Sequence, residues 1–381
     1  MKERIVSFDA LRFILALCVL FGHTFITLFR VDKTDIMCIK NLAVDGFFII
    51  SGFLMALSYN KYENSLENPA TLFIQSIWHR IKRLAPEYLF ALLLFIVILG
   101  FVRHYSVLNV LLNVMFISEI NKIPGIVIGS WYVSVLFWGG CIYLMLLFYL
   151  KRTAVYFFIP LVVFISFSYT YATYTSLSLN AMPLFAGIFS AGFLKGFMGM
   201  GIGILCFFIC QKMQKNSFQI RWPKAFYLIL EIASVVTLVY CLNLKELTKN
   251  EYLVYFAYPT IIGLLYCRKE TFLKFLSWKI WRPLAPTAYM LYLTHYLWLE
   301  IIKRYIPYKN YSEVVVYASV MIFCVIFAYI CYHAQKWLFT RLKQMLFVPQ
   351  DNLLEQHIEN TMENSVGGNK TAELDKAEIL Q

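Results

Sequence analysis

The chain has 381 residues, of which 60% are hydrophobic, 18% aromatic and only 15% charged, with a mean hydropathy of +0.65 and a formal net charge of +12. Soluble domains average about half apolar and about a quarter charged residues, so an ordinary soluble globule is excluded. The positive charge invites a nucleic-acid reading, but the lysines and arginines fall in short stretches between apolar runs, where they set membrane orientation instead.

Apolar runs long enough to cross a bilayer recur from end to end, which predicts an all-α polytopic membrane bundle. Ten spans are read in chain order, at 11–29, 42–59, 84–102, 131–150, 154–170, 192–210, 225–243, 252–267, 284–302 and 313–332. The first is not a signal peptide: it lacks a small-residue cleavage site, carries Arg12 and His23, and is too long for an h-region. The short run 107–118, broken by Asn109 and Asn113, is read as a helix on the outer side. With the N-terminus inside, 23 of the 34 lysines and arginines fall in inner segments and 11, Lys195 among them, fall outside. Lys370 and Lys376 are too far along the tail to count, and the bias survives without them, so both termini are cytoplasmic.

Span 1 carries two residues that are costly in hydrocarbon, Arg12 and His23. Eleven residues of helix turn through roughly 1100°, about 20° from a whole number of turns, and rise roughly 16 Å. The pair therefore shares one face, with Arg12 near the membrane surface and His23 near mid-depth. Span 2 brings Asp45 close to its outer end, where it reads equally as an interfacial charge, and Ser51-Gly52, where the glycine lets another backbone approach.

The loop into span 3 ends in Trp78-His79-Arg80-Ile81-Lys82-Arg83. Arg80, Lys82 and Arg83 satisfy the topology rule and equally form a phosphate site, with Glu87 placed to act as counter-ion. Further along come Glu231 in span 7, then His295 and Glu300 in span 9, five apart and so diverging on the helix. A lone membrane histidine such as His295 either bridges two helices or serves a site. The nine cysteines show no CxxC or zinc-type spacing and read as small apolar residues, and no metal site is expected.

The membrane domain is placed at 1–340, followed at 341–381 by a cytoplasmic amphipathic segment and a disordered tail. Basic and aromatic character begins at His333 and runs to Phe347, as in a helix lying on the inner leaflet, and from Pro349 the chain turns polar.

Taken together, four stretches resemble the membrane acyltransferase-3 family. They are Phe8-Asp9-Ala10-Leu11-Arg12-Phe13 with His23; Val44 to Phe53, reading VDGFFIISGF; Arg80 with Arg83; and Tyr289-Met290-Leu291-Tyr292-Leu293-Thr294-His295. The resemblance runs from about residue 4 to about residue 340. It implies transfer of an acyl group, usually acetyl, from cytoplasmic acyl-CoA to a hydroxyl of a carbohydrate, often across the membrane. It implies a catalytic His23, an essential Arg12, and CoA phosphates held by Arg80 and Arg83 with Lys82 beside them. There is one departure: many relatives carry a Trp-Ser-Leu-Ser-Val-Glu-type motif in span 4, where this chain reads Trp131-Tyr132-Val133-Ser134-Val135-Leu136. Asp45, Glu231 and Glu300 are the acids expected to stand in for it, with Ser51 and His295 as further substrate or proton-handling residues.

The residues and the resemblance agree on a mechanism. A polyanionic nucleotide stays in the basic inner vestibule while the thinner pantetheine arm lies along span 1. His23 then acts as general base on the sugar hydroxyl or first accepts the acyl group itself. No permanently bound cofactor is expected, acyl-CoA being a substrate, and the partners are membrane lipids, the donor and the carbohydrate. The resemblance implies a bacterial inner membrane. The rival reading is a transporter or flippase for a sugar, lipid or small anion. Against it, the charge and histidine gather toward one vestibule, and no broken helices recur in corresponding halves.

Overall fold

The computed structural model describes residues 5–29, 39–63, 65–100, 104–118, 123–177, 183–184, 189–215, 223–244 and 248–346. The polar stretch from Pro349 to Gln381 lies outside the described residues. The chain divides into two units, Met1–Tyr332 and His333–Gln381. The sequence put this division near 340.

The first unit is helical. In order come α1 (Val6–Leu28), α2 (Ile39–Tyr59), α3 (Pro69–Leu99), α4 (Val107–Val114), α5 (Trp131–Thr153), a π-helical turn (Ala154–Phe158) and α6 (Ile159–Thr173). There follow α7 (Gly192–Lys215), α8 (Lys224–Leu242), α9 (Val254–Cys267), α10 (Trp281–Leu284), α11 (Ala288–Tyr305) and α12 (Glu313–Leu346), the last running into the second unit. Between α6 and α7, strands β1 (Pro183–Leu184) and β2 (Phe189–Ser190) pair antiparallel. Each of the ten predicted spans falls on a helix, and the run expected to be a short helix is α4. Among the described residues, six stretches are long and apolar enough to cross a membrane; one of them, Trp131–Thr173, joins α5 to α6.

Local chemistry sets the boundaries. Asn68 caps α3, its side chain accepting from Ala70 N at 2.9 Å, and Pro69 occupies the first turn, where a missing N–H costs nothing. The chain folds back between α5 and α6 at Lys151, whose φ of 46° breaks the helical geometry. Arg268 ends α9 in the left-handed conformation, φ 54° and ψ 42°.

Burial runs opposite to that of a soluble protein. On α8, Ile229, Ile232, Val236 and Val239 are exposed, while Glu231, Ser234 and Cys241 are buried. Exposed Ile322, Ile326 and Ile330 repeat the pattern on α12. Apolar side chains outside and polar ones inside suit hydrocarbon as the solvent. At the other extreme, α2 is the most enclosed helix and packs closely on α7. A Cβ added at Gly52 would strike the Met200 backbone, and one at Gly203 would strike the Ile49 carbonyl. The close approach expected at Ser51-Gly52 is therefore made by α7, with glycine on both sides of the crossing.

Candidate functional site

Packing of α1 along α11 brings together two residues 272 positions apart in the sequence. His23 Nδ1 lies 2.9 Å from His295 Nε2. The ring planes differ by 13° with centroids 5.1 Å apart, a separation close to the N···N distance plus the two ring radii. The rings therefore meet edge to edge, as an in-plane hydrogen bond requires, and not face to face. His295 is 2% exposed and His23 half-buried, with the Tyr296 ring set at 62° to His23.

The surrounding bonds fix where the protons sit. His295 Nδ1 is 3.2 Å from the Leu291 carbonyl, which can only accept, so Nδ1 carries a proton. In a neutral ring this leaves His295 Nε2 as an acceptor, and His23 Nδ1–H donates to it. His23 Nε2 then keeps a bare lone pair. That is the arrangement a general base or nucleophile needs: one ring nitrogen oriented by a partner and the other available for chemistry. His23 lies five residues before the end of α1, about 8 Å short of it.

Arg12 occupies the same face toward the other end of α1. Its guanidinium pairs with Asp9 at 3.3 Å and lines a cavity of about 450 Å³. Lys61, Arg83 and Glu87 also line it, and its inner part is bounded by Phe47, Tyr132 and Tyr292. These three rings pack mutually, with centroid distances of 5.1 to 5.9 Å, and Tyr292 donates to the Gly129 carbonyl at 3.1 Å. The Tyr292 centroid is 6.0 Å from that of His295. The three rings thus edge the cavity, and Tyr292 neighbours His295 one turn along α11.

The basic cluster does not act as a unit. Arg80 lines a neighbouring cavity of about 360 Å³ that shares Ser51, Leu54, Lys61, Arg83 and Leu136 with the first. Arg80 donates to the Leu136 carbonyl and its Nη1 lies 4.0 Å from the Met55 sulfur. A side chain in place of Gly140 would collide with its guanidinium. Arg83 is exposed and faces both cavities. Lys82 is exposed with its ammonium 5.2 Å from the centre of the Trp78 ring, and it lines neither.

The acids named from sequence lie elsewhere. Asp45, expected near the outer surface, is fully buried. It pairs with Lys195 at 3.1 Å and accepts from Tyr255 at 2.7 Å. Lys195, counted from sequence among the outer charges, is also fully buried and donates to the Asn41 and Leu177 carbonyls, each at 3.0 Å. Glu231 ties down the start of segment 271–273, accepting from Thr271 N at 2.9 Å, Leu273 N at 2.8 Å and the Thr271 hydroxyl. Glu300 pairs with Arg304 at 3.6 Å. Of the named polar residues, only Ser51 lines the two cavities, and His295 alone joins His23.

The buried Lys195 was not singled out, though its place inside an apolar run allows the same cost argument that picked out Arg12. Glu87, read as a counter-ion to the basic cluster, lines the cavity with Arg12 and Arg83. No group of three or more His, Cys, Asp or Glu suited to a metal ion occurs among the described residues.

The family model described as an acyltransferase domain, acyltransferase-3, matches residues 5–333. No curated protein and no solved structure matches the chain.

Proposed function

The chain belongs to the acyltransferase-3 family, and from that premise we propose that it moves an acyl group, acetyl by family resemblance, from acyl-CoA to a carbohydrate hydroxyl. The observation that carries this reading is the 2.9 Å contact of His23 Nδ1 with His295 Nε2, which on the tautomers assigned above leaves His23 Nε2 free. The family match favours this over a transporter or flippase.

In the proposed topology the ten predicted spans cross a bacterial inner membrane with both termini in the cytoplasm. The basic cavity at Arg12, Lys61 and Arg83 then opens inside, and His23 lies toward the opposite side. The donor's pantetheine arm extends from that cavity along α1, past the Phe47, Tyr132 and Tyr292 rings, for the thioester to reach His23. The acceptor, a sugar on a surface polysaccharide or lipid-linked glycan, arrives from the outer side.

His23 Nε2 has two routes open. As base, it takes the hydroxyl proton while the oxygen attacks the thioester carbon; the C–S bond breaks, and the proton passes to the departing thiolate. As acyl carrier, Nε2 attacks the thioester carbon and the C–S bond breaks, releasing the thiolate; the sugar oxygen then attacks the acyl carbon, the C–N bond breaks, and the hydroxyl proton ends on the thiolate. Both routes put positive charge on the His23 ring, and the Nδ1–H bond to His295, backed by the Leu291 carbonyl, spreads it.

Purified protein with acetyl-labelled acetyl-CoA tests the reading. Thioester turnover, by hydrolysis or by labelling of an acceptor, is expected from the native chain and not from His23→Ala inserted at normal levels. Full turnover by that variant, or sugar uptake with no acyl transfer, would contradict it.

A further inference from the structure

Beside the Arg12 cavity lies a larger one of about 960 Å³, bounded by the start of α1, the end of α2, the end of α9 and the segment up to Ala285. The two share Ile5, Asp9, Leu57, Lys61 and Ala285, so they adjoin along one wall. Arg268, Lys274 and Arg282 rim the larger one, and among the described residues none of these three, nor Lys61, has an ion-pair partner.

Two details set this cavity apart from an ordinary basic membrane face. Arg268 ends α9 at φ 54°, a conformation that glycine adopts freely and a residue with a Cβ does not. A long cation therefore stands where glycine would be less strained, with its side chain lining the cavity. Glu270 lines the same space with Oε2 buried and no hydrogen-bond partner among the described residues. Burial raises its carboxyl above the ordinary range, against the opposing pull of Lys274 and Arg268. A cavity with several unpaired cations and one unmatched acceptor suits a ligand that is polyanionic yet carries a donor.

A nucleotide meets that description and is large enough for a space of about 960 Å³, which a single inorganic phosphate would leave mostly empty. Resting on the acyl-CoA reading above, we infer that the 3′-phosphorylated nucleotide of the donor sits in this larger cavity, its phosphates on Arg268, Lys274 and Arg282. Glu270 accepts from a ribose hydroxyl or the adenine amine. Lys61, on the shared wall, lies where the nucleotide passes into the pantetheine arm, and the 450 Å³ cavity then holds only that arm. Arg80, turned onto the Leu136 carbonyl, is left a supporting role.

Equilibrium binding of CoA, 3′-dephospho-CoA and pantetheine to the full chain in neutral-lipid nanodiscs tests this. Arg268→Gly is the sharpest variant, because glycine relieves the backbone: the protein should be at least as heat-stable while losing roughly tenfold in CoA affinity, about 1.4 kcal/mol. Lys274→Ala should lose a similar factor, Glu270→Gln less, and pantetheine binding should not move in any of them. CoA binding unchanged in Arg268→Gly and Lys274→Ala but lost in Arg83→Ala would overturn the assignment and leave the acyl-CoA reading standing. So would an effect that appears only with anionic lipid in the disc, the mark of a headgroup site. If the native chain binds no CoA at all, the acyl-CoA reading itself fails.

Discussion

Two buried polar pairs sit inside this apolar bundle, and they differ in what they leave over. Lys195 has three donors, and three oxygens surround its ammonium: Asp45 and the carbonyls of Asn41 and Leu177. Asp45 in turn has Lys195 on one oxygen and Tyr255 on the other. Each charge there is paired, and the contacts hold α2, α7 and α9 together. The His23–His295 pair is built in the same surroundings, yet once its bonds are assigned one nitrogen remains unspent. Counting leftover valence separates a clamp from a reactive centre where burial alone does not.

That contrast can be broken by substitution. The largest effect is expected at His23: alanine there should cut acyl transfer by at least about 10³-fold, within the range of a lost general base, with insertion and thermal stability unchanged. Lys195→Met should do the reverse. Leaving Asp45 buried without its cation should cost about 3–5 kcal/mol of stability, while transfer per folded molecule holds. Because the pair is coupled, the double variant Asp45→Asn, Lys195→Met should be more stable than Lys195→Met alone, as read from melting in detergent. If Lys195→Met instead folds well and is inactive, the clamp reading is wrong.

A smaller loss is expected for His295→Leu, which removes the acceptor of the His23 Nδ1 proton. The drop should be roughly 10²-fold, below the ~10⁴ seen when a charged orienting partner is lost, and His295→Gln should recover part of it. The smallest change separates neighbours in the basic cluster. Arg83→Ala should raise the KM for acyl-CoA a few-fold, since its head faces both cavities, and Lys82→Ala should do nothing measurable, since its ammonium lies over Trp78.

Much of the architecture was legible because bilayer thickness imposes a length on each apolar run. Spacing along one helix was legible too, which is why Arg12 and His23 could be placed on one face. What joins distant stretches was not. No local period connects His23 to His295, and that contact decides which nitrogen is free. The same gap left Lys195 counted with the outer charges, although Asp45, the Asn41 carbonyl and the Leu177 carbonyl surround it inside. Glu231 and Glu300 looked functional by the cost of an acid in a span. Backbone amides at 271–273 meet that cost for Glu231 from 40 residues away and leave no trace around it, whereas the Arg304 that meets it for Glu300 stands one turn on and could have been read from its i, i+4 spacing.

The central claim concerns a proton, and nitrogen-15 NMR reads it directly. With all six histidines ring-labelled in lipid, signals lost in His23→Ala identify that ring. The account predicts a neutral His23 protonated on Nδ1, with a through-bond coupling to His295 Nε2 and an unprotonated Nε2. A His23 that carries its proton on Nε2 would contradict it, because no lone pair would then be left for the acyl group or the sugar proton.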